Sequence, residues 1–534
     1  MPAKWSTNIE FIPVILEVEV NCCPICNSPL IIRKERVHHV QTLTGALKLI
    51  CKLSCCSNKQ CIHRRTLISP KSEISIAIPR WRIGWDLLLW MGFGRFKRHW
   101  SVPQIQCELL DTHQIDISMD TISKYLGKYQ LMVAARHQDM DRLKEEYQEC
   151  SDVILSIDAL QPEKGHETVY VVRELRKQRI WFAEPLLSSS TSEIQKLIQR
   201  AKEWAHFLQK PVKAWISDKQ EAFVTAIAIE FPYTAHRYCS NHFMRDLAKG
   251  VLEKDSHSKV QMRRKVRGLR EIEKETLSEL DQNDGVLTEE QQQYAAEIVF
   301  DYCASVRGIL NDSRGGPLNP PGLRMYHALE EVVQSLEANL KLGKTPISSK
   351  LDCLKKRIQQ GLIIYEQDKA EIVKYTKMVD EVMTTLNPSI GTVTQRVEQF
   401  TDIQHQLQKL SAKDPLAKQM MQIMQSFGSG VFVGSDDLEI PGDNLDLERW
   451  FKKPKGHERR IHGRKHTGLR LVYEGPTLLL ALDAHLYQEK PFTSLELLPY
   501  VEVEIPDSQR KSVERNRIMK KASSKKKETL YLAL

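Results

Sequence analysis

The sequence lacks any apolar run long enough to cross a membrane. Its most apolar stretch, "WDLLLWMGFG" (85–94), falls far short of the roughly 20 residues that a spanning helix needs. It also lacks the pattern of a secretory leader. The opening "MPAKWSTNIEFIPVILEVEV" sets Glu10 and Glu17 inside its apolar part and has neither a basic start nor a small-residue cleavage site. These two absences predict an intracellular protein with no membrane partner, in the cytoplasm or nucleoid if the source is bacterial. In such a compartment twelve cysteines are read as metal ligands before disulfides. A third scarcity is local. Between residues 251 and 430 there is no alternating β pattern, only charged helical sequence such as "SKVQMRRKVRGLREIEKETLSEL".

What is present suits a large globular chain. At 534 residues it is too long for one ordinary domain, and two to four are expected. With 41% apolar and 27% charged residues it can bury a core. The net charge of +9 suits a polyanion such as nucleic acid without requiring one.

The cysteines fall in two groups. "NCCPICNSPLIIR" holds Cys22, Cys23 and Cys26; "CKLSCCSNKQCIHRR" holds Cys51, Cys55, Cys56, Cys61 and His63. The spacer alternates like a short hairpin. A Cys-x2-Cys followed by a second cysteine pair suits tetrahedral zinc, and Cys23, Cys26, Cys56 and Cys61 are the best four, with Cys55 or His63 as possible substitutes. Four thiolates leave no open position, so this zinc is structural. Residues 1–68 are assigned to a zinc-ribbon-like domain.

Residues 75–140 read as three helices. The first covers 81–97, with Gly92 and Gly94 weakening its end. The second starts at an N-cap, Ser101, with Pro103 in the first turn. The third starts at Ser118 and turns Ile122, Tyr125 and Leu126 inward. A short turn before the last helix makes a helix-turn-helix module whose exposed Lys124 and Lys128 face DNA. A plain helical bundle is the competing reading.

From residue 152 the pattern turns to β. "VILSIDA", "ETVYVVREL" and "RIWFAEPLL" are strands, and "TSEIQKLIQRAKEWAHFLQ" is a helix capped by Thr191 or Ser192. "VKAWISD" is a strand, "KQEAFVTAIAIEF" a helix, "YTAHRYC" a strand and "SNHFMRDLAKGVL" a helix. Asp158 and Asp218 each end one of these strands. A dry pair of carboxylates repel, and a divalent cation with hard oxygen ligands removes that cost.

The passage "SDKQEAFVTAIAIEFPYTAHRYCSNHF" resembles the one that follows the second catalytic acid in DDE transposases of the Mutator-like group and its bacterial insertion-sequence relatives. Near the end of the chain, "NLDLERWFKKPKGHERRIHGRKHTG" resembles the motif carrying their third acid. The resemblance implies a multidomain α/β protein with a ribonuclease H-like core, interrupted by a large helical insertion and preceded by the zinc ribbon and helix-turn-helix domain. Its first part covers 150–254, the insertion 255–430, the last part of the core 431–500 and a basic tail 501–534. It implies catalytic acids at Asp158, Asp218 and Glu448, with two Mg²⁺ (or Mn²⁺) between them. Glu439, Asp446 and Glu458 compete with Glu448. DNA contacts are expected from Arg449, Lys452, Lys453, Arg459, Arg460, Arg464 and Lys465, which surround Glu448 with positive charge. Cys239 and His242 form a Cys-x2-His pair associated with the core, read as a buried thiol with a capping or phosphate-contacting histidine. The loop around Arg307, Arg314 and Arg324 is a further candidate for DNA contact. The implied activity is binding of transposon ends and Mg-dependent cleavage and strand transfer on double-stranded DNA, by a homodimer or higher oligomer. A regulator that binds without cutting and a resolvase-type nuclease are the alternatives.

Overall fold

A computed structural model describes residues 10–160, 167–186, 188–281, 288–343, 345–463 and 468–504. Arg464, Lys465 and the tail cations from Arg510 to Lys527 lie outside these residues. The protein is mixed α/β and divides into two compact units. Among the described residues, the first takes those within 10–215, 221–234 and 445–504; the second takes those within 216–220 and 235–444.

The first unit opens with a three-stranded sheet of β1 (Phe11–Leu16), β2 (Leu30–Thr42) and β3 (Gly45–Cys56) in the order β1-β3-β2. The hairpin of β2 and β3 is antiparallel, and β1 runs parallel to β3. Alternation along β3 sends Leu49, Cys51 and Leu53 into a small core with Leu16, Val40 and Ala77. The short α1 (Ser72–Ile76) follows.

Next come α2 (Trp85–Phe96), α3 (Val102–His113), α4 (Met119–His137) and α5 (Met140–Glu146). Ser101 caps α3 through a reciprocal box with Gln104, and Ser118 caps α4 by accepting from the Thr121 amide. The first helix begins at Trp85 rather than 81, after Gly84 in extended conformation. Gly92 and Gly94 do not fray its end; they let aromatic rings close on it. A Cβ on Gly92 would lie 2.3 Å from the Tyr129 ring, and one on Gly94 would lie 2.5 Å from the Trp100 ring.

The main sheet contains β4 (Val153–Leu160), β5 (Thr168–Glu174), β6 (Arg179–Leu186), β7 (Val212–Ser217) and β8 (Ala235–Tyr238), in the order β6-β5-β4-β7-β8. The first three strands form an antiparallel meander. The Val153 amide, at the start of β4, donates to the Pro211 carbonyl just before β7, so these neighbours run the same way. One sheet face, with Val153, Leu155, Ile157 and Trp215, is covered by α6 (Thr191–Phe207) and α7 (Glu221–Glu230). The cap of α6 is Ser190, one residue before the expected Thr191, which is already helical.

The opposite face presents Leu160, Val169, Val171, Ile180 and Ala183. These residues share one core with Ile105, Leu109, Ile122, Leu126 and Tyr129 of α3 and α4, and with Leu447, Trp450 and Leu479. The three helices read as a module of their own therefore pack into the same core as the sheet. The last three residues belong to α15 (Leu445–His462) and α16 (Gly468–Ala484), the latter broken at Gly475 (φ 70°) ahead of Pro476.

The second unit holds β8 and the last two residues of β7, and its other regular elements are helices. It contains α8 (Ser240–Lys265), α9 (Leu269–Asp281), α10 (Glu289–Asn311), α11 (Pro321–Lys341), α12 (Ser348–Leu386), α13 (Val393–Ser411) and α14 (Pro415–Val431). Helix α8 packs on α11, α12 and α14. Its buried Asp255 accepts from the Gly322 and Leu323 amides at the start of α11 and from the Tyr365 hydroxyl of α12. One carboxylate thus joins three helices.

Candidate functional site

The first unit brings Cys23, Cys26, Cys56 and Cys61 together, with all four sulfurs within 4.8 Å of one another. Cys26 and Cys56 Sγ stand 3.4 Å apart, and Cys23 and Cys61 Sγ 3.7 Å. Sulfurs at roughly 2.3 Å from a tetrahedral zinc would stand about 3.8 Å apart, so the donor set fits that ion. The thiols are not shifted alike: burial pushes Cys56 up to about 12 and Cys61 is also raised, while Cys26 is lowered. The Asn58 amide donates to Cys56 Sγ, and the Ser28 hydroxyl and amide pull the Cys26 thiol down to about 6. Cys55 is outside the group of four: it alternates onto the strand face of Cys51 and Leu53 and is fully buried. His63 Nδ1 stands 3.7 Å from Cys23 Sγ, outside the group of four.

The same unit carries Asp158 and Glu448. Asp158 is a half-buried residue near the end of β4, and one of its oxygens accepts from the Ala159 amide. It is paired in register with Val171, on the sheet face that packs against α15. Glu448, also half-buried, sits in the first turn of α15, which packs on β4. The competitors are occupied differently. Asp446 takes the Nε–H of buried Arg173 at 2.6 Å, Glu458 is buried beside His462, and Glu439 is exposed.

Asp218 follows β7 and belongs to the second unit. Burial raises its carboxyl above the ordinary value, against the opposing pull of His242 and Arg245. A carboxylate held in this way is relieved by a cation. Cys239 is the N-cap of α8; it is buried, pushed up to about 11 by burial, and accepts from the Asn444 amide at 3.2 Å. Two further bonds tie down the segment before α15: Arg237 donates to the Ile440 carbonyl and the Ser240 amide to the Gly442 carbonyl. The chain that leads to Glu448 is therefore anchored at the start of α8.

The exposed side of α15 is basic: Arg449, Lys452, Lys453, Arg459 and Arg460 are not buried, while Leu447, Trp450, Phe451 and His457 are. The turn between α2 and α3 joins it. His99 Nδ1 meets His457 Nδ1 at 2.9 Å, and burial, with Arg460, Lys453, Lys97 and Arg95 around it, pushes His99 down to about 4. Sequence reasoning misses this meeting of "RFKRH" with α15, because 358 residues separate the two histidines. On α4, Lys124 is exposed, but the Lys128 ammonium stands over the Trp81 ring at 4.5 Å. Of the three arginines expected on a loop, only Arg314 lies between helices, Arg307 being in α10 and Arg324 in α11; within the second unit Arg307 pairs with Glu273 and both Arg314 and Arg324 with Asp312.

No protein-family model and no curated protein matches this chain.

Proposed function

We propose that this chain is a DNA transposase of the DDE class, built on a ribonuclease H-like core and acting through Asp158, Asp218 and Glu448. The observation that carries the reading is the strand order β6-β5-β4-β7-β8, with an acid near the end of the central strand and another directly after its parallel neighbour. The packing of the Glu448 helix on β4 supports it. So does the donor set, three carboxylates of the kind that hold Mg²⁺ while leaving positions for phosphate and water. The chemistry supplied by two bound divalent cations is activation of a water, and then of a 3′-hydroxyl, for attack on a phosphodiester, with stabilisation of the leaving oxygen.

The chain's own contribution is positioning. Asp158 and Glu448 present oxygens from a strand and from the helix packed on it. The cations of α15 bind phosphate oxygens without reading sequence. The zinc ribbon and the α2–α4 helices recognise the ends, and a dimer brings two ends together.

The test uses the purified chain and a labelled duplex carrying the ends of the element that encodes it, in Mg²⁺. Cleavage or strand transfer by the wild type, with binding but no chemistry in Asp158→Asn and Glu448→Gln, is the expected result. Binding without cutting under any divalent ion would instead define a DNA-binding regulator. Unchanged cutting by either variant would remove that residue from the centre.

A further inference from the structure

We infer that Asp483, Arg173 and Asp446 form a clamp that sets the rotation of α15 and so aims Glu448; this rests on the reading of Glu448 as a metal ligand. The clamp lies wholly within the first unit. Asp483, on α16, is buried. One of its oxygens accepts from Trp450 Nε1 at 2.7 Å and from Arg173 at 3.4 Å. The other accepts from the Ile180 amide at 2.8 Å and lies 3.2 Å from His137 Nε2. The same His137 nitrogen is 3.0 Å from the Ile180 carbonyl, so it carries the proton. Burial alone would raise the Asp483 carboxyl, but His137 and Arg173 hold it below its ordinary value. It is an ionised hub.

Arg173 extends the hub to the strand that carries Asp158. It is 1% exposed and pairs in register with Ser156, two residues before Asp158 on the same face of β4. Its Nε donates to Asp446 at 2.6 Å. Helix α15 is thus held at Asp446 and at Trp450, four residues apart and so on one helix face. Glu448 lies midway between them in sequence, about 200° around the helix from each. Two attachments on one side fix the rotation of a helix about its axis. A carboxylate roughly 6 Å from the axis moves about 2 Å for a 20° rotation. A metal ligand tolerates only about 0.2 Å. Arg173, Asp446 and Asp483 are positioning residues, because they act on the cation only through Glu448.

The experiment measures Mn²⁺ affinity of the full chain by electron paramagnetic resonance, beside affinity for an end duplex without metal. Asp446→Ala removes the acceptor of the outer arm at a partly exposed position, while Arg173 keeps Asp483. Asp483→Asn breaks the hub itself. Both are expected to weaken Mn²⁺ binding about 10- to 100-fold, the scale of lost support behind a metal ligand. DNA affinity should stay unchanged, and Asp446→Glu, which keeps an acceptor for Arg173, should restore most of the metal affinity. Asp446→Ala binding Mn²⁺ as the wild type does, while Glu448→Gln loses it, would overturn the clamp and leave the catalytic reading standing. A wild type that binds no Mn²⁺ would overturn both.

Discussion

The four cysteines and the three acids are built in opposite ways. The cysteines come from two knuckles joined by one hairpin, and their sulfurs form a closed group. The acids are spread over a strand, the residue after another strand and a helix, with the helices α8–α14 intervening in the chain between Asp218 and Glu448. A closed thiolate set holds its ion for stability, whereas oxygen ligands that leave coordination positions open suit chemistry. The first kind of site is written in local spacing. The second, as proposed, would depend on residues far from it, such as Arg173, which reaches Asp446 across 273 positions.

The largest expected effect breaks the closed site. Cys23→Ser or Cys56→Ser should take bound zinc, measured by elemental analysis, from about one per chain to none, and should unfold the ribbon, since structural zinc supplies folding free energy of roughly 10 kcal/mol or more. Cys55→Ser should leave the zinc content unchanged. Next comes the open site: Glu448→Gln should lower cleavage by about a thousandfold or more with end binding intact, read in a gel assay, as for a member of a catalytic unit. Gly92→Ala, which forces a methyl into the Tyr129 ring, should destabilise the first unit by about 1–3 kcal/mol in denaturant unfolding. Lys452→Ala with Lys453→Ala should flatten the salt dependence of DNA binding by up to about 0.9 in log–log slope for each phosphate that is no longer neutralised.

The smallest effect concerns Asp218. Its folded pKa is raised, so the folded state holds its proton more tightly than the unfolded chain does. The stabilising contribution is present below the unfolded pKa and is lost as pH rises through the folded one. Near neutral pH the ionised Asp218 therefore costs stability. Asp218→Asn should raise the metal-free melting temperature at pH 7, and the gain should vanish in acid. Removal of zinc leaves this effect in place if the two sites are independent.

How much can be read beforehand follows the same division. The Cys-x2-Cys spacing names the four sulfurs, and β3 alternation explains why Cys55 faces away from them. Ser101 and Ser118 are legible as caps because capping is a local matter; at α6 the expected caps, Thr191 or Ser192, fall one or two residues late, because Ser190 takes the cap position by its extended backbone and not by a side-chain bond. The strand pattern from 153 to 217 is legible by alternation and apolar runs. The shared core of α2–α4 with the sheet is not, since each helix shows only an apolar stripe and not its partner. Nothing local marks Asp483 as a hub, because its partners His137, Arg173 and Ile180 lie more than 300 residues away. Arg464 and Lys465 lie outside the described residues.

The central claim is that Asp158, Asp218 and Glu448 form one cation-dependent centre for cutting DNA. The most direct measurement is cleavage of a labelled end duplex in Mg²⁺ by the wild type beside Asp158→Asn, Asp218→Asn and Glu448→Gln, with duplex binding followed in the same samples. Cutting by the wild type alone, with binding retained in all three variants, is the predicted result. Cutting that survives in any variant, or a wild type that binds and never cuts, would contradict it.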